Sequence, residues 1–204
     1  MKKLLIICFL FIFSLSFAQN TWRSGSVYFK DGTVKTGLVI IPRHAKWVSA
    51  FSGKGKVRFK KGKKAKRMKF GPDVVEKVIL SDNSTFVYLQ TKNKFSLYEE
   101  LIGEGPTKLY SRKVVKPGVG YFYFGDGRRI YSYLKIYIEY YLQFPSQEKV
   151  IPYIGNRGNR YFIKKSIELF QDCETLVADL NNELYTRYDL FEVVDKYNEC
   201  DFRH

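Results

Sequence analysis

Apolar and polar side chains alternate along the first two thirds of the chain, which is the period of β-strands that bury one face. Asp31-Gly32 stands between two such runs, and this dipeptide favours a tight hairpin turn. The alternating runs come in neighbouring pairs, each joined by a short segment rich in polar residues or glycine. They cover residues 25–29 and 33–41, 56–60 and 66–70, and 74–80 and 85–91. The pattern therefore predicts three antiparallel hairpins.

Further strands are predicted in the next part of the chain. Their ranges are residues 108–114, 120–124, 130–144 and 149–154. In residues 130–144, aliphatic side chains alternate with tyrosines, so one face of this strand is rich in tyrosine. Together with the three hairpins, these strands predict a curled meander or an incomplete barrel.

The apolar residues near the C-terminus recur every three or four positions, which predicts amphipathic helices. The first helix is predicted to begin near Ser166 and to end at Asn181. Thr186 and Asp189 resemble a capping box with Asp in place of Glu, and they predict the start of a second helix.

These elements predict an α+β fold. An antiparallel β-rich domain is expected over residues 19–160, and a C-terminal helical hairpin over residues 161–204 is expected to pack on it. Residues 1–18 have the features of a secretory signal peptide: a basic start, an apolar run too short to span a bilayer, and small side chains just before Gln19. We therefore expect a soluble mature protein in the periplasm, at the cell surface or outside the cell.

Cysteine usage agrees with export. Cys8 lies within the predicted signal peptide, so Cys173 and Cys200 are the cysteines of the mature chain. Two such cysteines in an exported protein are expected to form a disulfide, which would staple the two predicted helices together. The sequence alone leaves open the alternative of two buried free thiols.

Charge is distributed unevenly along the chain. Residues 20–165 carry 30 Lys and Arg against 10 Asp and Glu, whereas residues 166–204 carry 3 against 10. The densest basic stretch includes the predicted hairpin of residues 56–70, and it is the candidate binding site. Its residues are Lys54, Lys56, Arg58, Lys60, Lys61, Lys63, Lys64, Lys66, Arg67 and Lys69. Such a surface attracts an anionic polymer, an anionic lipid surface or an envelope protein, although lysines on an edge hairpin also prevent aggregation.

A second candidate surface is a row of tyrosines, Tyr131, Tyr133, Tyr137 and Tyr141, on one face of the predicted strand of residues 130–144. Exposed rings in a row offer a stacking platform for a sugar or a base. The alternative is that these rings pack against neighbouring strands and serve only the fold.

Signals for catalysis are weak. His44 and His204 are the only histidines and lie far apart, so neither a metal-ligand cluster nor a nucleophile–histidine pair is indicated. Phosphate-binding and dinucleotide-binding motifs are missing, and no cofactor is predicted. Asp126, Glu139 and Glu148 are the carboxylates from which a pair for glycoside hydrolysis would have to come. We predict no catalytic residue.

Several short motifs stand out, and they cover residues 22–32, 101–110, 162–165, 170–176 and 194–200. Together they resemble a set of uncharacterised secreted proteins of Bacteroidota. The resemblance implies export, a β-rich body and a helical tail with a cysteine pair, and it implies no activity.

The function predicted from the sequence is that of a non-enzymatic binding or interaction module of the cell envelope, which engages an anionic partner through the basic hairpin. The alternative is a structural or assembly protein of the envelope. An enzyme that acts on envelope polymers ranks third.

Overall fold

One sheet extends through the chain from its first described strand to its last. The computed structural model describes residues 22–42, 44–45, 55–91, 94–124, 127–145, 147–154 and 157–200. The predicted signal peptide, residues 1–18, lies outside these ranges, as do Lys54 and His204.

The sheet is antiparallel except at one short strand. The strands are β1 (Arg23–Phe29), β2 (Val34–Ile40), β3 (His44–Ala45), β4 (Val57–Lys60), β5 (Met68–Phe70), β6 (Val75–Leu80), β7 (Thr85–Thr91), β8 (Lys94–Ile102), β9 (Lys108–Phe124), β10 (Gly127–Gln143) and β11 (Ile151–Ile154). They pair in the order β11-β10-β9-β8-β7-β6-β1-β2-β4-β5, and β3 pairs in parallel with β9. The predicted α+β class with a β-rich body is confirmed.

The half of the sheet that contains β1, β2 and β4 to β7 curls around an apolar core. Val27, Phe59 and Val78 lie buried in this core. The side chain of Tyr88, in β7, connects this strand to the segment around β4. Its hydroxyl donates to the carbonyl of Gly55 (2.8 Å) and accepts from the backbone N–H of Val57 (3.2 Å). Because β6, β1 and β2 lie between β7 and β4 in the sheet, this contact requires strong curling. The result is the partial barrel that the sequence predicts.

Three helices pack on the other half of the sheet. They are α1 (Asn159–Leu169), α2 (Glu174–Asn181) and α3 (Leu190–Asn198), and their apolar side chains bury Leu109 and Leu142 of the sheet. The first predicted helix is divided in two by a turn at residues 170–173, where the Cys173 N–H donates to the Phe170 carbonyl (3.0 Å). The tail therefore contains three helices where the apolar period predicts two.

The predicted disulfide between Cys173 and Cys200 is confirmed, and the two Cα atoms lie 6.0 Å apart. Cys173 precedes α2 and Cys200 follows α3, so the bond ties the start of one helix to the end of the other.

The predicted capping box is displaced. The Asp189 carboxylate accepts hydrogen bonds from the backbone N–H (2.7 Å) and the hydroxyl (2.8 Å) of Thr186, and α3 begins only after Asp189. These two bonds lower the pKa of Asp189.

Three strands differ from the prediction. β3 was not predicted, because its two residues, His44 and Ala45, are too few to show an alternating pattern. β8 was not predicted, because Ser96, Leu97 and Tyr98 are all buried and a strand covered on both faces has no alternating pattern. β9 was predicted as two strands, since residues 115–119 contain proline and glycine. Pro117 is tolerated because, among the described strands, β10 alone pairs with β9 at that position.

Candidate functional site

The basic hairpin, defined here as residues 56–69, forms one edge of the curled half of the sheet. Val57 and Phe59 of β4 point into the core and are buried. The residue between them, Arg58, therefore lies on the outer face, where it stands directly opposite Lys69 of β5. Alternation thus places the charged side chains of both strands away from the core, as the sequence predicts.

Most of the charge on the basic hairpin faces solvent. Lys60 is held, because its ammonium group donates to the Lys63 carbonyl (3.1 Å) and lies 4.3 Å from the centre of the Trp22 ring. The side chains exposed at this edge are those of Lys56, Lys61, Lys63, Lys64, Lys66, Arg67 and Lys69. Within the described ranges, no carboxylate forms an ion pair with a side chain of this hairpin. The hairpin therefore carries concentrated positive charge that the described part of the protein does not neutralise by contact.

β9 and β10 continue beyond the rest of the sheet as a two-stranded arm. β8 pairs with β9 only at its beginning, up to Ser111, and β11 pairs with β10 only at its end, from Tyr140 onward. Residues 113–124 and 127–138 pair with each other along their whole length, and we call these residues the arm. Among the described strands, β3 is the only other one that pairs with the arm, and it does so at the base.

One face of the arm carries three tyrosines of the predicted row, Tyr131, Tyr133 and Tyr137, whereas the fourth, Tyr141, lies beyond the base of the arm and is buried. The rings of Tyr131 and Tyr133 lie across Gly120 and Gly118, where a β-carbon at Gly118 would stand 2.6 Å from the Tyr133 ring. Each ring therefore fills the space of the missing side chain on the neighbouring strand. The two ring centres are 5.9 Å apart, and both side chains remain partly exposed. We call this surface the tyrosine face. Its rings contact the arm itself, so packing already accounts for part of the pattern.

The opposite face of the arm is apolar. Alternation along the paired strands brings together Val119, Tyr121, Ile130, Leu134, Ile136 and Ile138, all of them exposed. Leu134 and Ile130 are 70% and 67% exposed, which is unusual for aliphatic side chains in a strand. We call this surface the apolar face. This face was not predicted, although the long alternation of aliphatic residues in 130–144 was its signal.

A hydrogen-bonded network anchors the base of the arm. Arg112 lies between the rings of Tyr98 and Tyr141, at 5.3 and 5.0 Å from their centres, and it forms an ion pair with Glu139 (2.9 Å). The Tyr141 hydroxyl donates to the same carboxylate (2.8 Å). Burial raises the pKa of Tyr141, so this hydroxyl keeps its proton. Glu139 is thus committed to a structural ion pair.

A cleft of about 520 Å³ opens beside this network, between β10 and the start of α1. Lys116, Tyr137 and Tyr161 line it, and Arg157 stacks on the Tyr161 ring at 4.3 Å. The Lys116 ammonium stands 5.0 Å from the Tyr137 ring. The cleft thus offers cations and aromatic rings to a bound group. Glu139 also lines the cleft, but its carboxylate is already paired with Arg112.

The residues considered for catalysis do not come together in the described structure. His44 lies in β3, Glu148 lies in an exposed loop, and Asp126 lies outside the described ranges. No group of three or more His, Cys, Asp or Glu side chains that could hold a metal ion occurs among the described residues. In the same part of the chain, no helix is both long and apolar enough to cross a membrane.

Comparison with known proteins gives no assignment. No protein-family model, curated protein or solved structure matches this chain. The resemblance to secreted proteins of Bacteroidota therefore stays a prediction.

Proposed function

We propose that this chain is an exported, non-enzymatic binding module of the cell envelope that holds an anionic partner on the basic hairpin. The observation that carries the proposal is the direct pairing of Arg58 with Lys69 on the outer face of this hairpin, with five further lysines and Arg67 exposed nearby. Like charges opposite each other on neighbouring strands destabilise a sheet. An anion bound between them would remove this cost and gain charge-assisted hydrogen bonds.

The partner is expected to be a polymer that carries phosphate or carboxylate groups. Lysine outnumbers arginine in the basic hairpin, and lysine acts as a point charge without the planar fork that reads a base edge. Recognition would then depend on charge density more than on sequence or exact shape. Affinity should therefore fall steeply with salt, as it does when counterions are released from a polyanion.

Export is part of the proposal and rests on two features. Residues 1–18 combine a basic start, an apolar run and small residues before Gln19. The disulfide between Cys173 and Cys200 suits an oxidising compartment. Mass spectrometry of the protein purified from cells of the source organism should find an N-terminus at Gln19, and a chain that retains Met1 would contradict this step.

Binding to three anionic probes across a salt series tests the proposal. The probes are double-stranded DNA, a carboxylated polysaccharide and phosphatidylglycerol vesicles, each titrated with the purified protein. We expect binding whose log affinity falls linearly with log salt concentration, and the probe that still binds at physiological salt identifies the partner class. Absence of binding to every probe at low salt would overturn the proposal.

A charge-reversal variant locates the site. Lys61, Lys64, Lys66 and Lys69 are exposed and are replaced together by Glu. We expect at least a ~100-fold loss of affinity and little change in the thermal midpoint, because exposed substitutions away from packed contacts change stability only slightly. The matched control replaces Lys30, Lys94, Lys149 and Lys164, equally exposed but outside the hairpin, by Glu. Equal losses in both variants would show that net charge, not the hairpin, holds the anion.

A further inference from the structure

Within the described ranges, no element packs on the apolar face of the arm. A two-stranded ribbon is at best marginally stable in water unless a third strand or another surface covers its apolar face. Residues 113–124 and 127–138 form such a ribbon, and six large side chains of the apolar face are exposed on it. Contiguous exposed apolar surface of this kind marks an interaction site.

We propose that the arm docks face to face with the arm of a second copy of this chain, so that the two apolar faces bury each other. This proposal rests on the arm alone and is independent of the function proposed above. The arrangement is a two-fold symmetric pair, the commonest form of protein oligomer, in which one patch serves as both halves of the interface.

The charge pattern of the arm favours a second copy. From the pair of Tyr121 with Ile130 to the pair of Val115 with Ile136, no residue on the apolar face is charged. Lys116 and Lys135 stand opposite each other in the same stretch, but alternation places them on the tyrosine face. Lys113, exposed opposite Ile138, lies at the end of the apolar face that is nearest the base. The uncharged stretches of two apolar faces can therefore meet without bringing like charges into contact, although the whole chain carries a net charge of +15.

The size of the apolar face suits a weak, concentration-dependent contact. It spans nine residue pairs, from Tyr121 and Ile130 to Ile138, so at roughly 3.3 Å per residue and 4.8 Å between strands it is about 30 Å long and about 10 Å wide. With side-chain relief included, two such faces remove about 800 Å² of surface from water, which is the size of a weak or transient interface. Sheets that pack face to face lie about 10 Å apart, a spacing that Ile and Leu side chains fill well.

The base of the arm supplies the rigidity that such a contact needs. The apolar face continues through Tyr140 to Leu142 and Leu109, which lie in the core beneath the helices. On the opposite face, Arg112 and Glu139 form their ion pair at the same level of the ribbon. The arm is thus held in a defined direction, so less conformational freedom is lost on docking.

Sedimentation velocity over a wide concentration series tests the proposal. The wild-type protein is expected to sediment as a dimer, and the double variant Ile130→Glu with Leu134→Glu as a monomer, with dimerisation at least about 100-fold weaker. The matched control is Val34→Glu with Leu184→Glu, at two other exposed aliphatic positions, 50% and 65% exposed, outside the arm. The control should remain a dimer.

Mixing two variants of opposite charge shows whether the glutamates prevent dimerisation by repulsion or by disturbing the fold of the arm. The variant Ile130→Lys with Leu134→Lys should also be a monomer, and mixing it with the glutamate variant should restore dimers of one copy of each. Failure of the mixture to dimerise, a wild-type protein that is monomeric at every concentration, or a dimer that survives both substitutions would each overturn the proposal.

Lipid is the occupant to be distinguished from a second copy. If the wild-type protein is a monomer that floats with uncharged phosphatidylcholine vesicles, to which the basic hairpin is not attracted, and the glutamate variant does not float, the apolar face binds lipid and the proposal is wrong. Every lysine of the basic hairpin is intact in these variants, so polyanion binding should be unchanged in them. Failure of either proposal is therefore visible separately.

Discussion

Tyr153 joins the sheet to the helices through a single buried hydrogen bond. Its hydroxyl lies 2.7 Å from the hydroxyl of Ser166 in α1, and both residues are almost completely buried. Phe162 and Phe170 pack around the Tyr153 ring. Each of the two hydroxyls therefore has the other as its hydrogen-bond partner and does not need water. A buried hydroxyl that loses its partner carries the full cost of desolvation.

Removing the second partner of this bond should therefore cost less than removing the first. Tyr153→Phe and Ser166→Ala are each expected to lower the free energy of unfolding by about 1 to 2 kcal/mol. The double variant should be less destabilised than the sum of the two, with a coupling of about 1 kcal/mol. Urea unfolding of the four proteins measures the cycle, and simple additivity would contradict a direct hydrogen bond.

The sequence could identify single residues only where the signal is local or compositional. The hairpin turn at Asp31 is local, because its carboxylate accepts from the N–H (2.9 Å) and the hydroxyl (2.7 Å) of Thr33. The pairing of Cys173 with Cys200 followed from composition and compartment. The Tyr153 bond and the ion pair of Arg112 with Glu139 could not be predicted, since they depend on which strands and helices become neighbours.

The disulfide stabilises the helical tail by closing a loop that contains α2 and α3. Cys173 and Cys200 are separated by 27 positions, and closing a loop of that length stabilises the folded state by about 3 to 4 kcal/mol in the chain-entropy model. Urea unfolding with and without a reductant should show a loss of this size. The variant Cys173→Ser with Cys200→Ser should match the reduced protein and should not respond to reductant. A reductant effect below about 1 kcal/mol would mean that native-state strain cancels the entropic gain.

The strands were predicted best where one face is buried and the other is exposed to solvent. β4, β5 and β6 meet this condition and appear within a few residues of their predicted ranges. β8 does not, because both of its faces are covered. The division between α1 and α2 escaped prediction for a different reason: Phe170 and Cys173 keep the apolar period through a turn that is not helical.

The aromatic interior of the whole molecule should make its stability sensitive to alkaline pH. Burial raises the pKa of Tyr88 to about 12. It raises the pKa of further tyrosines, namely Tyr98, Tyr110, Tyr140, Tyr141, Tyr153 and Tyr197. The folded state holds these protons more tightly than the unfolded chain, in which tyrosine titrates near pH ~10. Their contribution to stability is therefore complete below pH ~10 and is lost as pH rises through the folded-state values.

The free energy of unfolding should accordingly fall above pH ~10, by about 1.4 kcal/mol per pH unit for each such tyrosine. Urea unfolding at several alkaline pH values, with tyrosinate absorbance recorded in parallel, measures the slope. In the Tyr88→Phe variant, the fall in the free energy of unfolding per pH unit should be smaller by the contribution of one tyrosine, about 1.4 kcal/mol. Titration of these tyrosines near pH ~10 in protein that remains folded would contradict the prediction.

The two candidate surfaces differ in how far the sequence could predict them. The basic hairpin follows from alternation, because charged residues between buried Val57 and Phe59 must face outward wherever the hairpin lies. The apolar face of the arm does not, since Leu134 and Ile136 resemble core residues in the sequence. Their exposure depends on where β8 and β11 stop pairing, which is a property of the complete sheet.

The order of strands in the sheet has a consequence for how the protein folds. From β6 to β11, every strand pairs with the one that follows it in sequence, so these contacts close short loops and form quickly. β1 pairs with β2, which follows it in sequence, but its second partner, β6, is separated from it by β2 to β5, and the longer loop makes this closure the slower step. Both cysteines lie behind all of these strands in the chain. Oxidation of Cys173 and Cys200 is thus expected to come last, and it locks a helical tail that has already docked on a finished sheet.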